Sequence, residues 1–319
     1  MGISKRVLIK TAAAAVTATV GSLMAPAIAT ANHHNKTKLP LVLVHGAWHG
    51  AWCYERVIPH LAQLGHASVA RDLPAHGLNA RFPASYSKRP LDPAAFGTEP
   101  SPVAATTLDD YVNSILQTIR ELRSAGHDKV ILVGHSMGGV PITAVAERAP
   151  EMIAHLVYLT AFMPASGVPG VAYISAPENK GELVAPQLMA DPMKIGALRM
   201  DHRSTHPEYR ANAKRAFYAD VSNEDFDAVA NLLTPDVPVG PFATPITTTA
   251  ERWGSVRRHY IKCLQDQAIM PALQQRFIDE ADAAVRSRPT VVHQMNTSHS
   301  PFMSQPRALA EILARIASS

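Results

Sequence analysis

Residues 130–150, VILVGHSMGGVPITAVAERAP, constrain this chain more than any other stretch. Val130 to Val133 form a short apolar run rich in β-branched residues, of the kind buried in a parallel sheet. From Val140 onward apolar residues recur at helical spacing until Pro150. Gly134-His135-Ser136-Met137-Gly138 therefore occupies a strand-to-helix turn, and a strand feeding directly into a helix is the unit from which parallel sheets are built.

The same rhythm recurs elsewhere. Strand-like runs lie at 39–46, 66–72, 129–136 and 155–161, and two more at 258–264 and 289–295. Helical patterns separate them at 108–126 and 271–287, and PRALAEILARIAS closes the chain as an amphipathic helix. The expected fold class is α/β, a mostly parallel central sheet with helices on both faces. Two stretches break the pattern. Residues 163–250 show no regular strand signal and are rich in Pro, Met and short helical pieces, which fits a cap inserted over the carboxyl edge of the sheet. Residues 76–106 are long, Pro-rich and polar, and a loop of that length is expected to be a lid or mobile. The expected organisation is a leader at 1–31, a core in two parts at 32–162 and 251–319, and the cap at 163–250.

A chain of 319 residues with 47% hydrophobic and 18% charged residues can bury a large core. Its net charge of +4 owes most to the first 31 residues, which supply Lys5, Arg6 and Lys10 and no acid; the remainder holds 27 basic against 26 acidic residues. No nucleic-acid partner is expected from that balance. The leader has a charged start, an Ala/Thr-rich uncharged stretch and small-residue cleavage sites at Ala27-Ile28-Ala29 or Ala29-Thr30-Ala31, the pattern of an export signal. SKRVLIK resembles a twin-arginine export motif with Lys5 in the first arginine's place. The expectation is export to the periplasm or beyond, with no stable membrane insertion of the mature chain. The two cysteines, Cys53 and Cys263, are expected to be separate buried thiols.

Gly134, Ser136 and Gly138 fit G-x-S-x-G, the turn that lifts a serine hydroxyl above a sheet edge while pressing neighbouring backbone close. A serine needs a base, and the base needs an orienting acid; in this arrangement the chain order is serine, acid, histidine. His299, in NTSHSPF after the last strand, is the expected base, with His293 inside the strand as its competitor. Asp266, two residues beyond the preceding strand, is the expected acid, whereas Asp279 and Asp282 fall on the next helix. Two amides are needed for the oxyanion: that of Met137, directly after the serine, and that of Ala47 in VLVHGAWHGAW after the first strand. His45 with His49, and His33 with His34, lack a third ligand at sensible spacing, so no metal is expected.

Ser136, Asp266, His299 and the HGAWHGAW loop together resemble the α/β-hydrolase superfamily, and more narrowly its branch of plant methyl esterases, hydroxynitrile lyases and bacterial esterase relatives. The resemblance spans about residues 39–318, through LVHGAWHGAWCY, DLPAHG, GHSMGG, LQDQAIMP and SHSPFMSQP. It implies Ser136 as nucleophile, His299 as base, Asp266 as its partner, and the Ala47 and Met137 amides as oxyanion hole. The lyases carry threonine and lysine where this chain has Gly46 and Ser300, which disfavours a lyase. Nor does an aspartate stand at the elbow, as a dehalogenase or epoxide hydrolase would require. The expected activity is hydrolysis of small to medium apolar or aromatic carboxylic esters through an acyl-enzyme, without a cofactor. Alternatives on the same residues are thioester or carbon–carbon cleavage, or a ligand-binding receptor with little turnover. Met163, Met189, Met193, Met200, Phe217 and Phe226 are candidate pocket residues, core packing being the competing role for each, and a homodimer is left open.

Overall fold

A computed structural model describes residues 38–319. The leader, its cleavage sites and His33-His34 lie outside the described residues. Six strands form one parallel sheet: β1 (Leu41–Val44), β2 (Ser68–Ala70), β3 (Val130–His135), β4 (Ile153–Leu159), β7 (Arg257–Cys263) and β8 (Val291–Met295). Their order is β2-β1-β3-β4-β7-β8. Every residue of β1 and β3 is buried, which is why these strands read as unbroken apolar runs rather than alternating ones.

The order reverses at β1. The chain runs outward from β1 to β2, then crosses back over β1 to β3 through helix Leu108–Ser124, and proceeds in that direction to β8. Because such crossovers are right-handed, opposite directions of travel put their helices on opposite faces. Accordingly Ile58–Gln63 packs on the closing helix Pro306–Ala317, and Leu108–Ser124 packs on Gly139–Arg148. The reversal leaves a crevice between the carboxyl ends of β1 and β3, the place where open α/β sheets bind ligands.

Residues 163–250 hold short helices, notably Pro207–Tyr218 and Asn223–Ala230, and also an antiparallel pair, β5 (Ala197–Arg199) with β6 (Asp236–Pro238). The expectation of no strand there is corrected; three-residue strands are too short to leave a period in the sequence. Residues 76–106 contain two single 3-10 turns and helix Pro93–Thr98. They are clamped at several points. Arg199, fully buried, donates Nε and Nη2 to Asp236 at 2.7 Å each and Nη1 to the carbonyls of Phe96 and Glu99. Ser101 Oγ donates to the same Asp236 at 2.6 Å. Cys53 and Cys263 are separate and buried. No helix among the described residues is long and apolar enough to cross a membrane.

Asp236→Asn should be costly, because it leaves the Arg199 charge buried without its counter-ion. The expected loss is about 3–5 kcal/mol in chemical denaturation. A loss below about 1 kcal/mol, the range of exposed pairs, would show that this contact does not hold the 76–106 segment to β5 and β6.

Candidate active site

The turn after β3 carries Ser136 at φ +54°, a left-handed conformation unfavourable for a residue with a Cβ. The turn is imposed by close approach. A Cβ on Gly138 would lie 2.6 Å from the His45 carbonyl oxygen, and one on Gly134 would lie 2.7 Å from the Gly138 oxygen. Glycine at both positions is what lets the elbow press against the end of β1. The Ser136 carbonyl accepts the Phe162 amide at 3.0 Å, which ties the elbow to the loop after β4. Ser136 itself is 8% exposed.

Asp266 and His299 come together as a buried pair, His299 Nδ1–H donating to Asp266 Oδ2 at 2.6 Å. The carboxylate is held from both sides. Its Oδ1 accepts the amides of Ala268 and Ile269 at 2.7 and 2.9 Å, and its Oδ2 also accepts the Thr160 hydroxyl. With Nδ1 carrying the proton, Nε2 is left as the basic atom of His299. That nitrogen is buried and makes no hydrogen bond, so the Ser136 hydroxyl is not bonded to it here. Such contacts are commonly long before substrate arrives. β8 is three strands from β3, yet its following loop reaches back over β4 and β7: His135 Nε2–H donates to the His299 carbonyl at 2.9 Å, and the two rings lie 4.6 Å apart.

His293 stays in β8 and stacks on His259, its Nε2 3.3 Å from His259 Nδ1. Asp279 is exposed, and Asp282 accepts the Thr290 amide and hydroxyl at 2.7 Å, fixing the entry to β8. Neither approaches the pair through the hydrogen bonds of the structure. On the other side of the crevice, the Ala47 and Met137 amides have no protein acceptor among the described residues. The Ala47 loop is locked by its two histidines. His45 Nδ1–H donates to the Gly46 carbonyl at 2.9 Å while its Nε2 accepts the Leu73 amide; His49 bridges the Ala47 carbonyl and the Tyr218 hydroxyl. Burial is the main cause that lowers the His45 and His135 pKa well below the ordinary value, and it takes His49 down to about 3. Among the described residues no group of three or more His, Cys, Asp or Glu is arranged to hold a metal.

A small, partly enclosed cavity opens beside Ser136 and is walled by Trp48, Phe162, Phe217 and Phe242, with Leu188 and Leu198 among its aliphatic residues. Of the six candidate pocket residues Phe217 lines it, three others take the competing role of core packing, and two do neither. Met163, Met200 and Phe226 are buried in the core, Met193 is 79% exposed, and Met189 faces a separate surface groove. Methionine in a region of short helices was an ambiguous sign, since its flexible side chain fills cores equally well. Several residues that position the site carry no motif: Thr160, at φ +37° just beyond β4; Gln274, buried and bonded to the main chain around Asp266; and Asp220, from the cap. Asp220 accepts the Thr297 hydroxyl at 2.6 Å and the Ser298 amide at 3.0 Å, directly ahead of His299.

The alpha/beta hydrolase family model matches residues 41–312. Methylesterase 7 of Arabidopsis thaliana is 32% identical over 282 residues, covering 86% of this chain and 95% of that protein. Putative methylesterase 14, chloroplastic, of the same plant is 29% identical over 276 residues, covering 86% and 71%. Among solved structures, a pyrethroid hydrolase from Sphingobium faniae JZ-2 superposes with a TM-score of 0.67 at 22% identity, covering 88% of this chain and 98% of that one. Polyneuridine aldehyde esterase gives 0.65 at 24% identity, covering 88% and 99%. At those identities the structures speak to the fold.

Acid should weaken this protein at pH values where carboxylates are still ionised. Desolvation by burial holds His49 and His202 at about 3 and His76 at about 4, below the ordinary 6.5. These groups are neutral in the fold and protonate in the unfolded chain, so their contribution is intact above pH 6.5 and is lost as pH falls toward their folded values. Each should cost about 2 kcal/mol of stability at pH 5 relative to pH 7. Denaturant midpoints should be flat from pH 7 to 8.5 and fall steeply by pH 5; equal midpoints at pH 5 and 7 would contradict the buried neutral state.

Proposed function

The chain belongs to the alpha/beta hydrolase family and is a carboxylic ester hydrolase, and we propose that it works as a serine esterase through an acyl-enzyme on Ser136. The observation that carries this reading is the buried Asp266–His299 pair, with Nε2 of the imidazole left free, tied by His135 to the elbow that carries Ser136. His299 Nε2 takes the Ser136 proton as Oγ adds to the ester carbonyl. The tetrahedral oxyanion is held by the Ala47 and Met137 amides, which await an acceptor. Asp266 keeps the imidazole in the required tautomer and balances its charge. The alcohol leaves with the proton from His299, and water, deprotonated by the same nitrogen, then hydrolyses the acyl-enzyme and restores Ser136. No step calls for a metal or organic cofactor.

The aromatic walls favour small to medium apolar or aromatic esters. A residue with a side chain at position 46 would put its Cβ 2.6 Å from that of Ser136, which supports hydrolysis over a reaction needing threonine there.

The purified protein should hydrolyse p-nitrophenyl acetate and butyrate with sustained turnover, and Ser136→Ala should lower kcat by on the order of 10⁶-fold. A fluorophosphonate should leave one adduct, on Ser136. A burst of nitrophenol without turnover would instead mark a ligand-binding protein, and labelling elsewhere would sink the assignment.

The export reading of the first 31 residues is likewise a proposal, supported by the charge and cleavage pattern alone. Expressed in a bacterium, the protein recovered from the periplasm or medium should begin at Thr30 or Asn32. Recovery of the intact chain from the cytoplasm alone would refute it.

A further inference from the structure

The four aromatic side chains around the cavity form two edge-to-face pairs, Phe162 against Phe242 at 4.7 Å and Trp48 against Phe217 at 5.7 Å between ring centres. Among the described residues, Glu182 is the one acidic or basic side chain that lines the same space. It accepts the Val184 amide at 2.7 Å and the Ala185 amide at 3.1 and 3.2 Å. These donors are neutral, and Glu182 takes part in none of the ion pairs among the described residues.

Receiving two backbone amides does not require a charge, because a glutamine oxygen could accept both. A carboxylate in this position carries a desolvation cost that a neutral acceptor would avoid, and burial does push its pKa above the ordinary carboxylate value. The other polar wall residue, Asn179, is already committed: its Oδ1 accepts the Met270 amide and its Nδ2 donates to the Ile174 carbonyl. Glu182 is therefore an acidic residue on the wall of an apolar space, its carboxylate held by two neutral amides and by no counter-ion among the described residues.

An organic ammonium is the ligand that complements aromatic walls and one carboxylate. We propose that, among esters with a small to medium apolar or aromatic body, the cavity prefers those that also bear a cationic nitrogen remote from the ester group, with Glu182 as its counter-charge and the aromatic walls as its apolar shell. The inference rests on the esterase reading of the same site and names its substrate class. The same carboxylate opposes an anion, so esters with a free acid group are rejected and the carboxylate product is not retained.

The test compares p-nitrophenyl 4-(trimethylammonio)butanoate with its uncharged isostere, p-nitrophenyl 5,5-dimethylhexanoate. The quantity read is the ratio of kcat/KM for the cationic ester to that for the neutral one. Any loss common to both esters cancels in it. Glu182→Gln should lower this ratio at least about tenfold. A change below twofold, with Ser136 still labelled by fluorophosphonate, would overturn the substrate class while leaving the esterase reading intact. If neither ester turns over and Ser136 is not labelled, the esterase reading fails by itself. Binding still decides the inference in that case. Calorimetry of the methyl esters of the same two acids with Ser136→Ala should give tighter binding of the cationic one, lost in Ser136→Ala/Glu182→Gln; equal binding would overturn it.

Discussion

The contact on which the site depends is the close approach of the β3 turn to the end of β1, where Gly138 lies against the His45 carbonyl with no room for a side chain. Because the two backbones meet there, Ser136 is forced to φ +54°, and the amide that follows it lies beside the loop carrying Ala47. The meeting occurs at the reversal of strand order between β1 and β3. Sheet topology thus opens the crevice, and glycine lets backbone rather than side chains fill its floor. The strain at Ser136 costs on the order of 1–3 kcal/mol and persists because the surrounding sheet over-determines the turn.

Bringing His299 to that turn is a separate problem, since β8 lies three strands away. The solution uses polar contacts in a buried setting. Asp266 accepts from two amides, a threonine hydroxyl and the His299 ring, so the carboxylate is held from several directions and the imidazole cannot rotate without losing its partner. Asp220 fixes the main chain just ahead of His299, and His135 fixes its carbonyl. The segment 163–250 thus bears on the site directly: through Asp220, just beyond helix Pro207–Tyr218, it sets the loop that carries His299.

The parallel sheet, the elbow and the meeting of Asp266 with His299 were legible because each depends on local pattern and chain order. Val130–Val133 reads as a buried strand from four residues, and a loop position after the last strand separates His299 from His293. What escaped the sequence depends on contacts between distant segments. Thr160 and Gln274 meet Asp266 only in the fold, and nothing in the sequence around Asp220 or Glu182 distinguishes them from solvated acids. Residues 76–106 read as a lid or a mobile loop because their polar and proline residues hide the clamp, which is Arg199 more than 90 positions later. The cap methionines failed for the opposite reason: composition was informative about burial, but burial in the core and exposure to a cavity look alike in a sequence.

The histidines around the site form one electrostatic arrangement. His45, His49 and His135 are all buried, and burial disfavours their charged forms. Their neutrality matters for a base in their midst. An imidazolium forming on His299 would meet any second cation at the 4.6 Å ring spacing of His135 with a repulsion of several kcal/mol at an effective dielectric near 20. Both nitrogens of His45 and His49 are engaged, on the Gly46 and Ala47 carbonyls, the Leu73 amide and the Tyr218 hydroxyl. His135 Nε2 is engaged on the His299 carbonyl, so burial rather than hydrogen bonding is what keeps His135 Nδ1 from carrying charge. Desolvation, usually a penalty on polar groups, here disfavours a charge on each of the three rings around the Asp266–His299 pair.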